Sequence, residues 1–161
     1  MAALRAEIGE TVLWEQLARR AGTQAVAHAG SRRFRGVVIP SYPEFLVLHD
    51  GDGTEHLIPY GPATSVALPA ETATLQPTPA RAARRYLLSL ALRELARRRE
   101  PVRIELVDGG RVDGTIEAVS SDYLEIAKHD PGEARRRRAM KARRFLGLAA
   151  VAAVTLPRAR R

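Results

Sequence analysis

Cysteine is absent from the 161 residues, which removes disulfide frameworks and thiolate metal sites and leaves the redox compartment unreadable from thiols. No apolar run approaches the roughly 20 residues that a bilayer span requires. The opening stretch MAALRAEIGETVLWEQLARR lacks the charged-then-apolar layout of a secretory signal. A cytoplasmic protein without membrane contact is therefore expected. Catalytic signatures are missing as well. His28, His49, His56 and His129 show no paired metal-ligand spacing, no glycine-rich phosphate loop precedes a helix, and no serine elbow occurs. The expectation is a non-enzyme with no cofactor and no metal. Lysine is almost missing too: of 26 basic residues only Lys128 and Lys141 are lysines, a bias that a GC-rich genome explains as well as selection for guanidinium chemistry.

What is present is 45% apolar and 27% charged sequence, enough to fold as one ordinary domain or two very small ones. The charge is segregated. Residues 1–80 hold 6 Arg against 8 Asp and Glu, a net −2, whereas residues 81–161 hold 20 Lys and Arg against 10 acids, a net +10. One half of the chain is thus suited to meet a polyanion.

The chain repeats itself. A shift of 78 positions lays residues 14–49 over 92–127, with Leu17/Leu95, Gly36/Gly114 and Leu46/Leu124 identical and Val26/Ile104, Val38/Ile116 and Phe45/Tyr123 similar. The match resumes at a shift of 88, where LIPYGPATSVALP (57–69) lies over FLGLAAVAAVTLP (145–157). The second repeat thus carries ten extra residues in one loop, and that insertion holds the arginine run. Each repeat begins with helical spacing, Trp14-Leu17-Ala21 and Leu88-Leu92-Leu95. Period-two strands follow, among them Val102-Ile104-Leu106 and Val112-Gly114-Ile116 around the turn Asp108-Gly109-Gly110. The expected fold is mainly β with short helices: two tandem, five-stranded, strongly bent small barrels, each preceded by an α-helix, with Gly36 and Gly114 where the barrel must kink. The boundaries are 1–69 for the first helix and barrel, 70–84 for a Pro-containing linker, 85–157 for the second unit with an Arg-rich loop at 128–144, and 158–161 for a basic tail.

PVRIELVDGGRVDGTIEAVSSDYLEI resembles the first motif of the Sm-like family, the ring-forming RNA-binding proteins that include Sm, LSm and the bacterial host factor Hfq. FLGLAAVAAV resembles its second motif: a strand, one turn of 3₁₀ helix and a closing strand. The two-repeat form is similar to tandem Sm-like proteins of actinobacteria. The resemblance implies small β-barrels, RNA as partner, and self-association through barrel edge strands. It departs from the family where Sm proteins hold uridine: the matching third-strand positions are Leu46 and Leu124, and the second motif offers Pro59-Tyr60-Gly61 and Gly147-Leu148-Ala149 in place of the family's basic pair. Base readout of the Sm type is not implied.

The candidate nucleic-acid site is the run Arg135, Arg136, Arg137, Arg138, Lys141, Arg143 and Arg144, aided by Arg93 and Arg97 on the helix before the second repeat. Each neutralised phosphate releases counterions, so these residues would supply a salt-sensitive, largely sequence-blind affinity for RNA or for DNA. Phe145 adjoins the run and is expected to face the core. The alternatives are a solvated loop and a solvated helix face. His28 aligns with Leu106 and is expected inside the barrel. His49 and His56 flank DGDGTE, which reads as a hairpin loop in preference to a cation site.

Overall fold

The computed structural model describes residues 12–61, 64–70, 81–128 and 142–157. The elements in chain order are α1 (Leu13–Ala18), β1 (Gln24–Ala29), β2 (Arg32–Ser41), β3 (Phe45–His49), β4 (Glu55–Pro59) and β5 (Thr64–Ala67). They continue with α2 (Arg81–Arg84), α3 (Leu88–Arg98), β6 (Pro101–Leu106), β7 (Arg111–Val119), β8 (Tyr123–Lys128), β9 (Ala142–Gly147), a 3₁₀ turn (Leu148–Ala150) and β10 (Val151–Leu156). All ten strands join one antiparallel sheet in the order β5-β1-β2-β3-β4-β10-β6-β7-β8-β9. The sheet is open, not closed into two barrels as expected. The repeat is nevertheless visible in it, because each half contributes its five strands in the same order, fifth-first-second-third-fourth.

The long second strand of each half bends where the sequence places glycine. A Cβ on Gly36 would stand 2.7 Å from the carbonyl oxygen of His49, and one on Gly114 would stand 2.2 Å from that of Ala127. Only a residue without a side chain lets the neighbouring strand come so close. The ladder slips just beyond each, between Val38 and Ser41 and between Ile116 and Ala118, so glycine and bulge together turn the strand.

The repeats differ by one residue in two places, which the gapless overlay of the sequence hides. Ala25 faces Gly36 across β1–β2, and Val102 faces Gly114 across β6–β7. Ala25, Ala27 and Ala29 therefore take the places of Val102, Ile104 and Leu106, and the proposed match of Val26 with Ile104 is off by one. The first hairpin turns on Gly30-Ser31, while the second spends three residues, with the Leu106 N–H donating to the carbonyl oxygen of Gly110 on the far side at 2.8 Å. A slip of one residue moves a whole strand's side chains to the other face. His28, expected inside, is accordingly exposed, and Ala29 is buried in its stead. The segment expected to be linker also changes near its end, where Arg81–Arg84 form one helical turn; residues 71–80 lie outside the described residues.

The halves are joined through the middle of the sheet. β4 pairs with β10, with Leu57 opposite Val154, His56 opposite Thr155 and Glu55 opposite Leu156. Phe45, Val47 and Leu57 of the first half pack in one cluster with Leu88, Leu92 and Leu95 of α3 and with the inward side chains of the second half. Conversely, Ala152 and Ala153 of β10 pack with Leu17, Phe34 and Ile58. Polar contacts follow the same seam. The Glu44 carboxylate accepts the Leu88 N–H at 2.9 Å, satisfying one free donor at the start of α3. Glu105, nearly buried, is paired with Arg32 at 3.1 Å, an arrangement a carboxylate needs when it leaves water.

His56 sits inside this seam. Its Nδ1 lies 2.9 Å from the Thr155 hydroxyl, its Nε2 lies 3.9 Å from Asp50, and its ring rests 5.1 Å from that of Phe34. Burial lowers its pKa below the ordinary 6.5, against the opposing pull of Asp50, Asp52 and Glu105. A histidine whose folded pKa is depressed stabilises the fold fully above the unfolded pKa and loses that contribution as pH falls through it, because the unfolded chain takes up the proton first. Thermal melts taken from about pH 7.5 to about pH 5.5 are expected to show a larger fall in Tm for the wild type than for His56→Gln, which has no proton to gain.

Candidate nucleic-acid interface

α3 forms because Leu88, Ala91, Leu92 and Leu95 recur at helical spacing and all four are buried. It ends at Arg99, which takes the left-handed conformation (φ 54°) usual for a helix stop. The same spacing turns Arg93 and Arg97 together onto the opposite, exposed face. Arg98 beside them lies 4.0 Å from Glu100. Arg93 and Arg97 therefore stand where phosphates could reach them, on a helix packed over β7.

The arginine run divides. Arg135, Arg136, Arg137, Arg138 and Lys141 lie outside the described residues, as does His129. Arg143 and Arg144, expected in a loop, belong instead to strand β9, which begins at Ala142 and forms one outer edge of the sheet. Both are exposed, and Arg143 is paired with Glu125 on the neighbouring strand at 3.3 Å. Arg93 and Arg97 are not on the same element as this pair: β8 separates β9 from the strand that α3 covers.

Phe145 corrects the expectation set for it. It is 67% exposed, while its neighbour Leu146 is buried. Two adjacent apolar residues on a strand point to opposite faces, and the sequence alone does not say which of them points inward. Phe145 meets Tyr123, itself 40% exposed, edge to face with ring centroids 5.7 Å apart. Tyr123 matches buried Phe45 in the repeat, and that match conceals its exposure.

The loop between β3 and β4 has the hairpin form expected. Asp50 and Asp52 accept the N–H groups of Gly51 (2.6 Å) and Thr54 (2.8 Å) in their own turn, and Gly53 supplies the positive φ of 92°. Among the described residues no group of three His, Asp or Glu side chains is placed to hold a metal ion, and no helix is long and apolar enough to cross a membrane. Burial pushes the Tyr60 hydroxyl up to about 12, so it stays a neutral phenol hydrogen-bonded to Ser41.

No protein-family model and no curated protein matches the chain.

The two faces of β9 can be told apart by stability. Phe145→Ala removes one edge-to-face contact and is expected to cost about 1 kcal/mol or less. Leu146→Ala opens a cavity in the core and is expected to cost about 3 kcal/mol. Urea unfolding of the two variants measures both, and equal losses would place Phe145 inside.

Proposed function

We propose that this chain is a nucleic-acid-binding module of two Sm-like repeats, acting on RNA in the cytoplasm and not as an enzyme. Phosphates would be met by its second repeat, through Arg135, Arg136, Arg137, Arg138, Lys141, Arg143 and Arg144 with help from Arg93 and Arg97. The observation that carries this reading is the exposure of Arg93, Arg97, Arg143 and Arg144 on ordered elements of the half that holds a net +10, while the other half holds −2. The Sm-like likeness is supported by the order of strands in each half, by the glycine-and-bulge bend of each second strand, and by the 3₁₀ turn between β9 and β10.

Affinity would come from charge and shape, with little base selectivity. Leu46 and Leu124, at the positions where Sm proteins hold uridine, are fully buried and unavailable to a base. The same arginines suit DNA, so a DNA- or nucleoid-associated role is the nearest rival. A scaffold whose basic loop touches an acidic protein is the reading left if no nucleic acid binds.

Fluorescence anisotropy with U-rich RNA, A-rich RNA and matched DNA across a salt series tests this directly. Wild type is expected to bind RNA with a steep salt dependence. Each single-strand phosphate contact contributes about 0.7 to the slope of log K against log salt. Arg93→Ser with Arg97→Ser is therefore expected to flatten the slope by about 1.4, and Arg135–Arg138 changed to Ser by about twice that. Equal binding of DNA would favour the rival, and no binding to any strand would overturn the reading.

A further inference from the structure

Four aspartates of the chain are followed by glycine: Asp50, Asp52, Asp108 and Asp113. Glycine has no side chain to keep its nitrogen away from the preceding carboxyl carbon, so in each pair the backbone can approach its own aspartate. The fold separates the four. The Gly53 N–H donates to the carbonyl oxygen of Asp50 at 3.0 Å, and the Gly109 N–H to that of Leu106 at 3.0 Å. Gly114 lies inside β7, between β6 and β8. Three of the carboxylates are also engaged elsewhere. Asp52 accepts the Thr54 N–H at 2.8 Å, Asp108 accepts that of Gly110 at 2.8 Å, and Asp113 accepts the Arg103 guanidinium at 2.9 Å. Asp50–Gly51 is the exception. The Gly51 N–H turns back on its own neighbour, 2.6 Å from Asp50 Oδ1, and a Cβ at residue 51 would meet nothing within 4 Å. The nitrogen thus touches an oxygen that is one bond away from the carbon it can attack.

We propose that Asp50–Gly51 is a self-modification site, at which the folded chain converts aspartate to isoaspartate. The Gly51 nitrogen bonds to Asp50 Cγ, and its proton leaves with the carboxyl's hydroxyl as water, so that a five-membered succinimide ring remains. Water then opens the ring at the original peptide carbonyl carbon. Gly51 stays bonded through Cγ, the backbone gains one methylene, and the former peptide carbonyl becomes a free carboxylate. One water leaves and one returns, so mass and charge are unchanged and no oxidant or cofactor is consumed. Holding the two reacting groups together makes the ring closure a unimolecular step that needs no diffusion. The effect reaches the seam between the halves. Asp50 Oδ2 lies 3.9 Å from His56 Nε2, and the loop is closed by the Asp50 N–H on Thr54 O at 2.8 Å and the Gly53 N–H on Asp50 O at 3.0 Å. Isomerisation turns the carboxylate that faces His56 into backbone, and turns the carbonyl that Gly53 uses into part of a carboxylate. The loop leads directly into Glu55, His56 and Leu57, the three residues of β4 that pair with β10. Isoaspartate at residue 50 therefore loosens the strand pair that joins the halves. The reaction needs no ligand and stands whether or not nucleic acid binds.

The test holds the full chain at neutral pH and physiological temperature for weeks, beside the same chain in denaturant. Electron-transfer fragmentation of its proteolytic peptides tells isoaspartate from aspartate at equal mass. In the folded chain isoaspartate is expected at residue 50 ahead of residues 52, 108 and 113, and that order is expected to vanish in denaturant. Gly51→Ala, whose Cβ has open space, is expected to keep the fold and to lose most of the signal at residue 50. Aged wild type is expected to melt at a lower temperature than fresh wild type, whereas aged Gly51→Ala melts where it did when fresh. Isoaspartate appearing first at another of the four aspartates would overturn the proposal, as would the same order in denaturant, which would take the fold out of the cause. An aged wild type that carries isoaspartate at residue 50 and melts as the fresh protein does would overturn the link to the seam.

Discussion

The pairing of β4 with β10 is the contact on which the rest of the molecule depends. Without it each half would be a five-stranded sheet with an exposed edge and an uncovered apolar flank. With it, Phe45, Val47 and Leu57 enter the core built by α3 and the second half, and Ala152 and Ala153 enter the core of the first. Neither core is complete within its own repeat. The backbone bonds set the register, and the side chains then require it, since a slip by one residue would expose Leu57 and Val154 together. The polar groups at the seam are consistent with that requirement: Glu105 finds Arg32, Glu44 finds the start of α3, and His56 finds Thr155.

This arrangement explains why two so similar sequences behave differently. Leu57 and Phe145 occupy equivalent places, as do Val154 and Val66, yet one of each pair is buried in the seam and the other stands at the sheet's margin. Burial here is a property of position in the chain of contacts and not of residue type. The first repeat lines its first strand with Ala25, Ala27 and Ala29, whereas the second fills the same places with Val102, Ile104 and Leu106.

The sequence exposes much of this. Alternation places Val102, Ile104, Leu106, Leu124 and Ile126 inside, helical spacing gives the buried face of α3, and glycine marks both bends. The 3₁₀ turn lies where the second motif puts it. What alternation cannot supply is phase in a stretch such as Arg143-Arg144-Phe145-Leu146, where either apolar residue could be the inward one. Nor can a gapless overlay detect that one repeat lengthens its helix-to-strand connection while the other lengthens its hairpin, so the overlay puts His28 on the wrong face. Closure of a sheet into barrels is harder still, because it depends on which edge the fifth strand of a repeat chooses, and that choice is made by partners far away in sequence. Of the candidate site, the outward face of α3 was legible from spacing alone. The strand character of Arg143 and Arg144 was not, since a run of like charges carries no periodicity to distinguish strand from loop.

Charge and edge bear on each other at β9. An open strand edge invites pairing with any other chain, and proteins guard such edges with short strands and with charge. β5, four residues long, is guarded by its brevity, and β9 by Arg143 and Arg144. The guards differ in what they exclude. A short neutral edge discourages indiscriminate pairing yet accepts a partner in one register, while arginines repel a second basic edge and accept a neutral one. Two β9 strands therefore oppose each other, and two β5 strands offer each other little area.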